Sequence, residues 1–122
     1  MRVGILDKYY IDLGDCICKP SYLIVWRDLL ENKDYDVEVA QNIGDFSQGL
    51  EFDVLIAHAF FEDYALIKAQ VDSNEGFRVL FHSGDPVTKD DPLIESNQVY
   101  YCCMLPSNWL ELVENGWSYL YD

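Results

Sequence analysis

The fold of this chain is decided by the stretch Asp53-Val54-Leu55-Ile56-Ala57-His58. Its apolar centre has the length and composition of a short strand that is buried on both faces. Strands of that kind belong to parallel sheets whose two faces are covered by helices. The strand ends on His58, and the carboxyl ends of strands form the edge at which ligands bind in open α/β sheets.

Four further strands are indicated around this one. Apolar runs that end on a polar residue or a proline recur at residues 2–7, 78–83 and 98–106, and each predicts a strand. Another strand, nearer an edge of the sheet, is indicated by the alternation of polar residues with Val37, Val39 and Ile43.

Helical spacing of apolar residues predicts three helices between and after these strands. In residues 21–33, the side chains expected to face the sheet are Leu23, Trp26, Leu29 and Leu30. In residues 60–74, the shared face carries Tyr64, Ile67 and Val71, and residues 74–76 supply the stop. A last helix is capped by Ser107 and closed by residues 115–116, with Leu110 and Val113 on one face. Alternating strands and helices predict a doubly wound parallel sheet in a single domain of residues 1–122.

The chain is strongly acidic, with 22 acidic residues, 8 basic residues and a formal net charge of −14. Such a charge favours solubility, repels nucleic acids and anionic membranes, and attracts basic surfaces. We therefore expect a protein partner with a basic surface, and no direct binding to nucleic acid or membrane. No apolar run approaches the roughly 18 residues of a membrane span and no signal peptide is legible, so we expect a cytoplasmic protein.

The cysteines give a weak signal for a metal or a disulfide. They fall in two close pairs, Cys16 with Cys18 and Cys102 with Cys103. Zinc sites favour wider spacing with histidine support, and a reducing compartment disfavours disulfides. We predict that Cys102 and Cys103 are small buried apolar residues and that the chain holds no metal and no cofactor.

Several segments, taken in order, resemble the receiver domain of bacterial response regulators. They are Leu6-Asp7, residues 36–40, residues 53–58, residues 79–84 and Leu105-Pro106. The resemblance implies a flavodoxin-like fold with strand order 2-1-3-4-5. It also implies that Ser83 is the switch hydroxyl, and that Pro106 is the proline that typically follows a cis peptide bond in that family.

The chain departs from the receiver pattern at the residues that carry receiver chemistry. The acidic pair is replaced by Asp7-Lys8, the phosphoacceptor by His58 and the lysine by Leu105. Because Mg²⁺ prefers several oxygen ligands, one carboxylate beside an imidazole is a poor host. We expect no Mg²⁺ site and no aspartyl phosphorylation, and we hypothesise that Lys8 takes the place of the metal by pairing with Asp7.

Two catalytic alternatives use the same edge of the sheet. Asp7, His58 and Ser83 could form a hydrolytic triad, but Ser83 lies outside any Gly-x-Ser-x-Gly elbow and no oxyanion hole is legible. His58 could accept a phosphoryl group, but Leu105 lacks the positive charge that would stabilise the product. We predict no catalytic residue and a protein that is not an enzyme.

The remaining interpretations are both of protein binding. The candidate surface combines acids of a proline-broken segment with two late tyrosines: Asp85, Asp90, Asp91, Glu95, Tyr119 and Tyr121. The first interpretation is a non-catalytic regulatory module that resembles a receiver but cannot be phosphorylated, with a homodimer left open. The alternative is an acidic inhibitor of the kind that phages use against host defence complexes, which would imitate nucleic acid and block a basic binding surface.

Overall fold

The structure is a computed structural model, and it describes residues 1–7, 24–58, 63–82, 96–102 and 109–116. Within these ranges the chain forms five strands, three α-helices and one short 3-10 helix. The strands are β1 (Arg2–Leu6), β2 (Asp36–Ala40), β3 (Val54–His58), β4 (Arg78–His82) and β5 (Val99–Cys102). The helices are α1 (Ile24–Glu31), α2 (Tyr64–Ser73) and α3 (Trp109–Asn115), and the 3-10 helix is Ile43–Asp45.

The five strands form one sheet in the order β2-β1-β3-β4-β5, and every neighbouring pair is parallel. This arrangement confirms the predicted α/β, flavodoxin-like fold and its strand order. From β1 the chain moves to one side to form β2, then crosses back over β1 to form β3. The order therefore reverses between β1 and β3, and in open α/β sheets the crevice outside such a switch point is where ligands bind.

Both faces of the sheet are covered by apolar side chains. On one face, α2 packs with the segment after β2 on a cluster that includes Phe46, Phe52, Ile67 and Phe81. On the other face, Leu30 of α1 and Val113 of α3 pack on the remaining side chains of the strands. All five residues of β3 are buried, as a central parallel strand requires.

The predicted helix faces are confirmed in α2 and corrected in α1. Tyr64, Ile67 and Val71 are all buried on one side of α2. In α1 Leu30 is fully buried, but Leu29 is 46% exposed, so the prediction that Leu29 faces the sheet is wrong. Adjacent helical residues point about 100° apart, and only one of two neighbouring leucines can face the sheet directly. Leu23 lies outside the described residues.

The second strand ends earlier than predicted, and the last helix ends where predicted. Ile43 lies in the 3-10 helix rather than in β2, so its assignment to the second strand is wrong, although its side chain still packs against the core. Gly116 follows α3 at a φ of 79°, a left-handed conformation that ends the helix as predicted. No helix within the described ranges is both long and apolar enough to cross a membrane.

Close packing of β1 against Phe52 requires glycine at position 4. A Cβ atom added to Gly4 would lie 2.5 Å from the Phe52 ring, far inside van der Waals contact. The ring makes an edge-on contact with Phe46 at a centroid distance of 4.9 Å, and the Arg2 guanidinium lies 4.7 Å from its centroid. Phe52 is therefore held on three sides and has little room to move.

Gln98 joins α2 to the sheet through one amide group. Its side-chain nitrogen donates to the carbonyl oxygens of Val71, Asn74 and Phe77, at 3.3, 2.9 and 2.7 Å. These contacts hold the end of α2 and the residue before β4 against the start of β5. Arg78 does the same for α3, donating to the carbonyl oxygens of Leu112 and Val113.

We expect Gly4→Ala to lower the free energy of unfolding by about 1–3 kcal/mol, the typical cost of overpacking a close-packed core. Phe52→Leu added to Gly4→Ala should recover part of the loss, because the clashing ring is removed. The matched control is Gly44→Ala, since a Cβ atom at Gly44 meets nothing within 4 Å. Urea unfolding measures all three variants, and equal losses in Gly4→Ala and Gly44→Ala would contradict the steric explanation.

Candidate functional site

A buried contact between a carboxylate and an imidazole lies at the carboxyl edge of the two central strands. His58 is the last residue of β3, and Asp7 directly follows β1. The pairing of Leu6 with Ala57 brings the next residue of each strand side by side. His58 Nε2 lies 3.1 Å from Asp7 Oδ1; the Asp7 residue is 0% exposed and the His58 residue 9%.

The sheet topology places this pair at the switch point. The chain leaves β1 toward the β2 side, and β3 lies on the other side of β1. Asp7 also donates its backbone N–H to the carbonyl oxygen of Ala40 at 2.9 Å, so its backbone is held by β2 while its side chain reaches β3. The candidate site is thus anchored by three adjacent strands.

Buried polar groups in the described ranges are concentrated at this same edge. The buried charged or titratable side chains there are those of Asp7, His58 and Asp63. Asp63 is the N-cap residue of α2, the helix that follows β3, and Tyr64 next to it is also buried. Burial raises the pKa of the Tyr64 phenol, and the neighbouring Tyr101 raises it further, so Tyr64 stays neutral at any physiological pH.

The pair supplies two of the three groups of a hydrolytic triad, the carboxylate and the imidazole. A buried carboxylate beside an imidazole fixes the orientation of the ring. A triad also needs a nucleophile next to the ring, and Ser83, the residue predicted for that role, lies outside the described residues. Asp7 and His58 are brought together as the triad hypothesis requires, and the third member is not tested.

The described residues also fail to assemble a metal centre. No group of three or more His, Cys, Asp or Glu side chains within those ranges is placed to hold a metal ion. One carboxylate oxygen that already contacts an imidazole nitrogen offers little to Mg²⁺, which prefers near-octahedral oxygen coordination. In the described part of the chain, the carboxyl ends of β1 and β3 carry one acid, Asp7, in contact with an imidazole, His58, rather than a cluster of acids.

Most of the other predicted site residues cannot be placed. Four positions of the receiver-like pocket lie outside the described residues: Lys8, Ser83, Leu105 and Pro106. The whole candidate interaction surface also lies outside them: Asp85, Asp90, Asp91, Glu95, Tyr119 and Tyr121. Cys16, Cys18 and Cys103 lie outside them too, and for Cys102 the structure describes only the backbone, so the predictions for the cysteine side chains are not tested.

A second polar cluster, at the opposite edge of the sheet, was not predicted. Arg2 binds Asp36 at 2.8 Å and Glu38 at 2.9 Å, and Glu38 accepts hydrogen bonds from the backbone N–H and the hydroxyl of Ser47. The alternation of acids with valines in residues 36–39 was the available signal, because it puts both carboxylates on one face of β2. Beside this cluster lies a cleft of about 430 Å³, lined in part by Arg2, Glu51 and Gln70.

The cluster shifts the protonation of Glu38. Burial alone would raise the pKa of Glu38, but the hydrogen bonds from Ser47 and the Arg2 guanidinium outweigh it and lower that pKa below its usual value. The folded state therefore favours the ionised carboxylate. Its stabilising contribution is fully present above the pKa of an unfolded glutamate, about 4.3, and is lost as the pH falls through the lower folded value.

Most basic side chains of the described region are engaged by acids. Arg27 pairs with Asp28, Lys33 with Glu114, and Lys68 with Asp72. By contrast, several exposed carboxylates make no ion pair in the described ranges: Glu31, Asp34, Glu51, Glu75 and Glu111. The described surface therefore carries a negative net charge, and the charged groups on it that lack an ion pair are mainly carboxylates.

We expect His58→Leu to lower the free energy of unfolding by about 3–5 kcal/mol, because it removes the imidazole that contacts a fully buried carboxylate. His58→Gln is the matched variant, since its amide can still donate to Asp7 and should cost clearly less. Urea unfolding of both variants at neutral pH gives the comparison. Equal losses would mean that the bond to Asp7 contributes little to stability.

Glu38→Gln should flatten the acid limb of the stability curve. Between about pH 5 and 3, where an unfolded glutamate of pKa about 4.3 takes up its proton, the wild type should lose stability faster than the variant, which has no carboxylate to protonate at this position. Thermal unfolding across this pH range measures the slope. Glu75→Gln, at an exposed carboxylate without an ion pair, is the control and should leave the slope close to that of the wild type.

Comparisons with known proteins give this site no family context. No protein-family model, curated protein or solved structure matches the chain.

Proposed function

We propose that this chain is a receiver-like α/β module that acts by binding another protein and is not switched by aspartyl phosphorylation. The single observation that carries the proposal is the contact of 3.1 Å between His58 and Asp7 at the carboxyl edge of β3 and β1. In the receiver resemblance these two positions belong to the phosphoacceptor and to the metal-binding acids. A buried acid that is satisfied by an imidazole has no need of a divalent cation to offset its charge.

The charge of the described surface supports a protein partner with basic groups. Its cations are largely engaged within the molecule, as in the pair of Lys33 with Glu114, whereas carboxylates such as Glu31 and Asp34 face solvent without an ion pair. Such a surface draws a basic protein in by long-range attraction that weakens as salt is added. Catalysis and a bound cofactor form no part of the proposal.

A second candidate, the acidic inhibitor that imitates nucleic acid, is favoured by the same free carboxylates. A surface that carries negative charges without neighbouring free cations presents a nucleic-acid-binding channel with a field like that of a phosphate backbone. The two candidates differ in the partner that they require: a signalling protein for the first, and a protein with a nucleic-acid site for the second.

We expect Mg²⁺ with beryllofluoride to leave the amide NMR signals of Asp7 and His58 in place, because the site lacks the oxygen ligands for the metal. The matched variant is His58→Asp, which puts a second carboxylate beside Asp7 and should gain a Mg²⁺-dependent shift of these signals. A saturable shift in the wild type at micromolar Mg²⁺ would contradict the proposal, whether or not the variant folds.

A capture experiment from lysate, repeated across a salt series and with competing DNA, separates the two candidates. Release of the captured protein by DNA supports the inhibitor. Retention against DNA at low salt supports the regulatory module.

A further inference from the structure

We propose that the outer edge of β2 docks an extended, lysine- or arginine-rich segment of a partner protein, which adds to the sheet as a sixth strand. This inference rests on the proposed function in one respect, that the chain works by binding a protein. It adds the surface that is used and the chemistry of the segment that fits it.

The hydrogen-bonding pattern of β2 leaves one row of backbone groups facing outward. Asp36 donates its N–H to the carbonyl of Met1, and Ala40 accepts from the N–H of Asp7. In a parallel ladder the bonds to one neighbour come from alternate residues, so the register assigns Asp36, Glu38 and Ala40 to β1. The N–H and C=O groups of Val37 and Val39 therefore point away from β1.

Those outward groups meet no partner within the described ranges. β2 is the outer strand of the sheet on this side, and the backbone hydrogen bonds of the described residues include none from Val37 or Val39. Their side chains are half-buried and pack against the core on the face shared with α1. The edge thus combines unpaired backbone groups with partly exposed valines, the surface to which an extended peptide adds a strand.

Among the described residues, the usual protection of an edge strand is weak. Natural edges are blunted by lysine, proline, bulges or charges that project across the edge. β2 contains neither lysine nor proline, and its two acids, Asp36 and Glu38, are bound to Arg2 of β1. Both carboxylates are thus held toward β1 by their contacts with Arg2.

Charge decides between the possible occupants of this edge. Free or exposed acids flank both ends of β2, Glu31 and Asp34 before it and Asp45 after it. A second copy of the chain, with its net charge of −14, would bring identical acidic groups together, and they would repel each other. A basic segment is attracted by the same groups, and its alternate side chains can reach the acids at either end.

The probe is a soluble peptide that alternates lysine with threonine, titrated into the whole protein at low salt. Amide hydrogen exchange is the readout. We expect exchange at Val37 and Val39 to slow at least tenfold on saturation, since their N–H groups gain partners. The N–H groups of Asp36 and Glu38, already bonded to β1, should change little and serve as internal controls.

Two pairs of variants test the two parts of the argument. Val37→Pro removes an N–H that β1 does not use and should weaken peptide binding at least tenfold, whereas Val37→Thr keeps the N–H and should bind as the wild type does. Asp34→Asn with Asp45→Asn should weaken binding several-fold at low salt and not at high salt. Asparagine suits the left-handed φ of 63° at Asp34, and Glu75→Gln with Glu111→Gln makes the same charge change away from β2.

Each other outcome overturns the inference. Absence of binding at low salt, or binding without slower exchange at Val37 and Val39, would exclude docking at this edge, and these wild-type measurements hold even if Val37→Pro does not fold. If exchange at both valines becomes slower as the protein concentration rises, with no peptide present, the edge binds a second copy of the chain instead. Failure here leaves the response of Asp7 and His58 to Mg²⁺ untouched, so the inference and the proposed function can fail separately.

Discussion

Burial of β3 on all sides is the constraint on which the rest of the structure depends. Strands flank it on both edges and apolar clusters cover both of its faces, so no residue between Val54 and Ala57 can be polar. The same demand on β1 is met with glycine at position 4, where the Phe52 ring takes the space of a side chain. Polar residues are thereby confined to the two ends of the central strands, and each end carries a different kind of cluster.

The two clusters differ in how they meet the cost of desolvation. At the carboxyl edge, Asp7 is fully buried and contacts the His58 imidazole, so its environment is sensitive to any change at His58. At the amino edge, Arg2 and Glu38 are partly solvated, and several hydrogen bonds together offset the cost of desolvating Glu38. The second arrangement suits a structural brace that holds β2 and its outer row of backbone groups in place.

The sequence predicted the fold because continuous apolar runs such as residues 54–57 leave little freedom of interpretation. It placed Asp7 and His58 at one edge because parallel strands bring their carboxyl ends together. The pairing of Asp7 with Lys8 stays a hypothesis, because Lys8 lies outside the described residues. The contact of Asp7 with His58 depends on the register of β1 against β3, which neither strand specifies alone. Leu29 and Ile43 were misplaced for related reasons. Ile43 continues the apolar alternation of β2 past the residue at which the strand ends. Leu29 and Leu30 are adjacent in α1, and only the packed structure decides which of the two is buried. The three bonds of Gln98 likewise depend on distant residues that meet only after folding.

The connectivity of the sheet also determines the order in which its strands can pair during folding. β1 precedes both of its neighbours, and its first residue, Arg2, contacts Asp36 and Asp53 at separations of 34 and 51 residues. Such long loops must close before β1 gains any hydrogen-bonded partner, which makes folding slow compared with that of helical bundles of equal size. While the polypeptide is being synthesised, an apolar strand must wait for the segments that will shield it, and for that interval it is a target for chaperones and for aggregation.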